Sequence, residues 1–226
     1  MARNSYQEML VELRENVLYM SEVVAERLRL GLSALEQKDH DLAREVIEGD
    51  DEVNQLYLDL EGDCIDLLAL QQPVASDLRF IASSFKIITD LERVADLATN
   101  LGGYAEEADQ DVFPEVDVQE IGDATLAMLE DAMSAYAEED AEACFAIAER
   151  DDDIDAMCER ASGIVVRDLI ETEFDDGAEE GDMEAMLQDV SRLLLIIRDL
   201  ERVGDHAVNI AARTLYMAEN SDELIY

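Results

Sequence analysis

Glu92 and Asp96 stand four residues apart, and Glu201 and Asp205 repeat that spacing in the second half of the chain. Residues four apart on an α-helix leave from the same face, so each pair aligns two carboxylates one turn apart. Asn100 and Asn209 add an amide oxygen on the following turn. Such oxygen donors suit a hard divalent or ferric cation: Mg²⁺, Ca²⁺, Mn²⁺ or iron, with Zn²⁺ a further option. Asp50 and Asp151, from two further acid-rich segments, are candidate additional ligands, and Asn54 and Asp155 weaker ones. Helical bundles build metal centres in this way, with acids projecting from facing helices.

The context of these residues is duplicated. The eleven residues from Asp90 to Asn100 return 109 positions later as Asp199 to Asn209, with eight of them identical. Asp50-Asp51-Glu52-Val53-Asn54 likewise aligns with Asp151-Asp152-Asp153-Ile154-Asp155, 101 positions on. In a chain with 57 acidic residues a Glu-x-x-x-Asp pair arises readily by chance, and a row of acids is ordinarily a solvated face. Repetition of the whole context is what favours a site over that bland reading.

His206 replaces Leu97 of the first copy and falls off the carboxylate row, so it reads as a structural or surface residue before a ligand. His40 reads as a turn or cap residue. No Ser/His/Asp set, no nucleophilic cysteine with a positioned histidine and no phosphate-cradling glycine loop is present. The sequence is therefore read as that of a non-enzyme. A carboxylate-bridged metalloenzyme is the competing reading, weakened because Val203 and Gln37, and not Glu, lie three residues before His206 and His40. A plain helical scaffold, its acids serving solubility alone, is the third.

The elements that position these side chains are helices. Two prolines, no tryptophan and 5% aromatics, against abundant Ala, Leu, Glu and Asp, favour helix over sheet. Leu10, Leu13, Val17, Met20, Val24, Leu28, Leu32 and Leu35 step by three and four, which predicts a first helix ending near Gln37. A second, capped by Asp39 or Asp41, runs to the Gln72-Pro73 boundary; a third, capped by Ser76 or Asp77, ends at a Gly102-Gly103 C-cap. The order then repeats over about 116–138, 141–171 and 183–220, with an acidic loop around Gly177 and Gly181. The expectation is an all-α fold of six helices in two tandem three-helix bundles. The first repeat spans residues 1–108 and the second 117–226, joined by a linker at 109–116 around Phe113-Pro114.

The formal net charge of −41 makes nucleic acid an improbable partner, because no arginine stripe offsets the repulsion of a polyanion. An acidic coat of this density is tolerable where concentrated salt shortens the Debye length, which predicts a halophilic cytoplasm. Cys64, Cys144 and Cys158, odd in number and without Cys-x-x-Cys spacing, read as buried thiols in a reducing compartment. No apolar run approaches the roughly 20 residues of a membrane span, so the expected location is cytoplasmic, with membrane contact only through a partner.

Gln72 to Arg79, the Asp90 line and its copy, Asp50 with Val53-Asn54, Asp151 with Ile154-Asp155, and the closing Ser221-Asp222-Glu223-Leu224 together resemble the PhoU family of phosphate-transport regulators over essentially the whole chain. The resemblance implies two antiparallel three-helix bundles, a homodimer, and polynuclear metal clusters at Glu92/Asp96 and Glu201/Asp205. It also implies negative control of phosphate uptake through the phosphate ABC transporter, with its ATPase subunit the expected contact, and in bacteria through a membrane sensor kinase. Ala95 stands where the family motif often has the glycine seen at Gly204, and Met186 and Gln188 replace Asp77 and Arg79 in the second half.

Overall fold

The computed structural model describes residues 2–70, 73–107, 116–173 and 180–225, and these are all-α. Its helices are α1 (Ala2–Gln37), α2 (His40–Glu48), α3 (Asp50–Leu70), α4 (Ala75–Glu106), α5 (Val118–Glu138), α6 (Ala141–Glu173) and α7 (Glu180–Glu219). They form the six rods and two three-helix bundles that the periodicity predicts, with the second rod interrupted at Gly49 to give α2 and α3. A side chain of α1 occupies the interruption. Arg27 is buried there, donates from Nη1 to the Val46 carbonyl at 3.1 Å, and pairs with Glu52 at 3.4 Å. A Cβ on Gly49 would lie 1.9 Å from Nη2 of that guanidinium, so a larger residue there would push Arg27 out of this seat.

The first turn of each half is built alike. Lys38 (φ 52°) and Glu139 (φ 56°) adopt the left-handed conformation that ends α1 and α5. Asp39 then accepts from the amides of Asp41 and Leu42, and Asp140 from those of Glu142 and Ala143. The cap is thus Asp39, with His40 as the first helical residue.

Two other sequence expectations are corrected. Neither Ser76 nor Asp77 caps α4: the extended Val74 occupies the cap position without a side-chain hydrogen bond, and Ser76 and Asp77 already lie within the first turn. Gly102-Gly103 does not end α4, which continues to Glu106. Gly102 is instead a close-approach site, where a Cβ would meet the Ala43 carbonyl at 3.1 Å, so its smallness seats α2 against α4. The expected linker at Phe113-Pro114 and the loop at Gly177 lie outside the described residues. Asp117 caps α5 through Glu120 N–H, and α7 begins at Glu180, before Gly181.

Each half packs its first rod against its third, α1 on α4 and α5 on α7. The halves join where α4 meets α7 and α1 meets α5, leaving α2/α3 and α6 on the outside. Leu28, Leu91, Val94 and Leu101 from one half and Leu129, Ile197, Leu200 and Val203 from the other belong to one continuous core. Burial pushes the thiols of Cys64 and Cys158 up to about 12 and Cys144 to about 11, so all three are protonated, unreactive packing groups. Among the described residues no helix is long and apolar enough to cross a membrane.

Candidate functional site

The α6–α7 contact carries the denser carboxylate cluster. α6 presents Asp151 and Asp155, one turn apart, to the Glu201 and Asp205 turn of α7. Gly204 lies between those two acids, and a Cβ on it would fall 3.1 Å from Asp151 Oδ1. The missing side chain lets a carboxylate of one helix lie against the backbone of the next. Asp151 Oδ1 is shut off from solvent and has no hydrogen-bond partner.

The electrostatics follow from that crowding. Burial, then Asp155, Asp205, Asp152 and Glu201, push the Asp151 carboxyl up to about 6. Burial, Asp155 and Asp205 raise Glu201; burial and Asp155 raise Asp205 against the opposing charges of His206 and Arg202. Asp155 is therefore felt by all three other acids of the cluster.

The α3–α4 contact holds the corresponding Asp50, Glu92 and Asp96. Glu92 is raised by burial, Asp96 and Asp50, with Arg93 and His206 opposing; Asp96 is raised by burial and Asp50, with Arg202 opposing. Asp50 itself is provided for. Asn54 Nδ2 donates to its Oδ2 at 2.8 Å, and Thr99 Oγ1 donates to its Oδ1 at 3.2 Å. Asn54, read from sequence as a weaker candidate ligand, here donates a hydrogen bond to Asp50.

Asn100 and Asn209 are engaged elsewhere. Asn100 Nδ2 and the Tyr104 hydroxyl donate to Asp199 Oδ2 at 3.2 and 3.0 Å, across the α4–α7 seam. Reciprocally, His206 Nδ1 lies 2.9 Å and Asn209 Nδ2 3.4 Å from Asp90 Oδ1. These contacts run α4 antiparallel to α7 and tie the carboxylate of each half to an amide of the other. Asp90 and Asp199, 7% and 2% exposed, are the buried acids of this seam that sequence reasoning missed. Their signal was available: both open the repeated line, and both are acids on the apolar side of their helices.

Among the described residues no three His, Cys, Asp or Glu side chains already converge as a closed ligand set. What exists is an open, electron-rich face on each half, made of carboxylates that repel one another. The donor chemistry fits a hard cation, and the orphaned Asp151 Oδ1 is an acceptor that such an ion would satisfy.

The family model of the PhoU domain matches this chain twice, over residues 17–105 and 118–214. The phosphate-specific transport system accessory protein PhoU homolog of Pseudomonas putida is 34% identical over 94% of this chain and 80% of its own length. The accessory protein PhoU of Escherichia coli K12 is 31% identical over 94% of this chain and 85% of its own. The crystal structure of PhoU from Pseudomonas aeruginosa superposes with a TM-score of 0.85 at 30% identity, covering 96% of this chain and 100% of that one. The phosphate transport system regulatory protein PhoU from Streptococcus pneumoniae gives 0.83 at 28% identity, over 96% and 98%. Both repeats are matched separately and the chains are alike from end to end, so the protein belongs to the PhoU domain family.

Proposed function

We propose that the protein regulates phosphate transport, as a cytoplasmic helical adaptor that restrains import by binding the phosphate ABC transporter at its ATPase subunit. The observation that carries this reading is end-to-end similarity to accessory proteins of phosphate-specific transport, with 94% of the chain aligned at 34% identity. Nothing in the site argues for turnover. The role is regulatory, and the protein acts as a homodimer.

Bound cations are part of the proposal. Asp50, Glu92 and Asp96 would hold one site, and Asp151, Asp155, Glu201 and Asp205 the other. A cation there would offset carboxylate repulsion and offer a positive bridge to anionic groups that a chain of charge −41 otherwise repels. Without it, the chain's own residues supply orientation only: Gly204 seats Asp151 against α7, and the Asn54 and Thr99 donors fix Asp50.

The test is genetic and direct. Deletion is expected to release phosphate uptake and phosphate-responsive expression from control, and the protein is expected to co-purify with the transporter ATPase. Normal uptake and normal expression in the deletion strain would sink the regulatory reading.

A further inference from the structure

We propose that the two carboxylate clusters are unequal cation sites, with the α6–α7 cluster filling before the α3–α4 cluster, because Asp155 and Val208 stand where the first half has Asn54 and Thr99. The inference rests on the cation-binding reading above and adds an order of occupation to it.

The two sites share a backbone plan and differ in what surrounds the outer-helix aspartate. Asp50 receives Asn54 Nδ2 at 2.8 Å on one oxygen and Thr99 Oγ1 at 3.2 Å on the other. A cation approaching Asp50 has to share or displace both donors. In the second half the amide of position 54 has become the Asp155 carboxylate and the hydroxyl of position 99 the Val208 isopropyl group. Asp151 has thus lost both donors, and its Oδ1 is shut from water with no partner. The desolvation of this acceptor is already part of the folded state, so an arriving cation gains a ligand without first stripping its water.

Charge acts in the same direction. The first cluster offers three carboxylates, Asp50, Glu92 and Asp96; the second offers four, Asp151, Asp155, Glu201 and Asp205. Carboxylate count is a main determinant of affinity for hard cations. Neighbouring cations do not reverse the order, because each cluster faces arginine: Arg93 acts on Glu92, and Arg202 acts on both Asp96 and Asp205. His206 likewise acts on both Glu92 and Asp205.

The test is Mn²⁺ binding to chelator-treated full-length protein, by calorimetry and equilibrium dialysis with metal analysis. KCl at about 1 M shrinks the Debye length to about 3 Å and suppresses diffuse binding to the acidic coat. Wild type is expected to show a tight and a weak class of sites. Asp155→Asn should weaken the tight class by roughly tenfold or more and spare the weak one. Asp50→Asn should do the converse, and Asn54→Asp should draw the weak class toward the tight. The near-isosteric Asp155→Asn relieves repulsion and so preserves the fold, which circular dichroism checks; the exchange double variant Asn54→Asp/Asp155→Asn should invert the order. A single class of equal sites, or a tight class lost with Asp50→Asn and kept with Asp155→Asn, overturns the ordering alone. Wild type that takes up no Mn²⁺ overturns the cation reading itself and the ordering with it.

Discussion

The two halves of this protein place an aspartate of the outer helix against a Glu-x-x-x-Asp turn of the inner one, yet only one of those aspartates is satisfied. Asp50 holds an amide and a hydroxyl, whereas Asp151 faces Asp155 and Gly204 and leaves one oxygen unpartnered. The backbone devices are shared: a left-handed residue followed by a capping aspartate at each first turn, and an acid-to-amide bond across the α4–α7 seam from each side. The lesson is one of separable control. Helix geometry fixes where the oxygens stand, while two substitutions, at the positions of Asn54 and Thr99, reset the charge and the hydrogen bonding without moving the scaffold.

The largest expected effect probes what the halves have in common. Removing both neutral donors from the buried Asp199, with Asn100→Leu and Tyr104→Phe, should cost about 3 kcal/mol in chemical denaturation, as for two lost hydrogen bonds to a charge that Arg198 and Arg202, each 3.9 Å away, still pair. His206→Ala, on the reciprocal Asp90, should cost about 2–3 kcal/mol, as for a lost hydrogen bond to a charged group. If one change is costly and the other silent, the seam is not reciprocal.

The next effect separates the halves by pH. The Asp151 carboxyl is raised from its ordinary 3.8 to about 6, so the folded state binds a proton that the unfolded chain releases. Stability of the cation-free protein should therefore be fullest below about pH 4 with respect to this group, and fall as pH rises through about 6. The full shift would amount to about 3 kcal/mol, but Asp151 is only half-buried, and solvent screening reduces the expected loss to on the order of 1 kcal/mol. Thermal melts across that range should show the slope in wild type and in Asp50→Asn, and a shallower one in Asp151→Asn, where Glu92, Asp96, Glu201 and Asp205, also raised, keep the remainder.

Smaller effects sharpen the comparison further. Asn54→Asp recreates the second-half arrangement in the first, and without cation it should destabilise by about 1 kcal/mol through the lost donor to Asp50. Gly204→Ala recreates Ala95 in the second half. Its Cβ would press on Asp151 Oδ1, which can give way, while helix propensity improves by up to about 1 kcal/mol. Net stability should change by less than about 1 kcal/mol, read in the same denaturation experiment.

Much of this was legible in the chain because helices write their periodicity into sequence. The three- and four-residue steps of Leu10 to Leu35 mark α1, and the copied Asp90 line marks the duplication. What escaped depends on contacts between elements. At the interruption a guanidinium from another helix lies against Gly49 and takes the Val46 carbonyl, and Gly102 reads as a C-cap until α2 is seen resting on it. Ser76 and Asp77 look like caps because both are good at it, yet the chain enters the helix earlier, at Ala75. Within the site, the Glu92/Asp96 and Glu201/Asp205 pairs and their Asp50 and Asp151 partners could be placed by spacing alone. Asn100 and Asn209 could not, because a helical wheel shows a row and not which neighbouring helix takes its last member. The same blindness hid Asp90 and Asp199, whose value depends on α4 meeting α7 antiparallel.

Arg27 and Gly49 carry one more consequence. Their counterparts, at the 101-residue spacing, are the buried Met128 and the Arg150 that pairs outward with Asp131, and there α6 runs unbroken. The 9-residue α2 is too short to persist by itself and is held by Arg27 and by its seat on Gly102. It is therefore the natural unit of local opening, a segment that can detach and return while α6 cannot do so in pieces. Hydrogen exchange should show it as faster amide exchange over Leu42–Glu48 than over the matching turns of α6, and Arg27→Met should widen that gap.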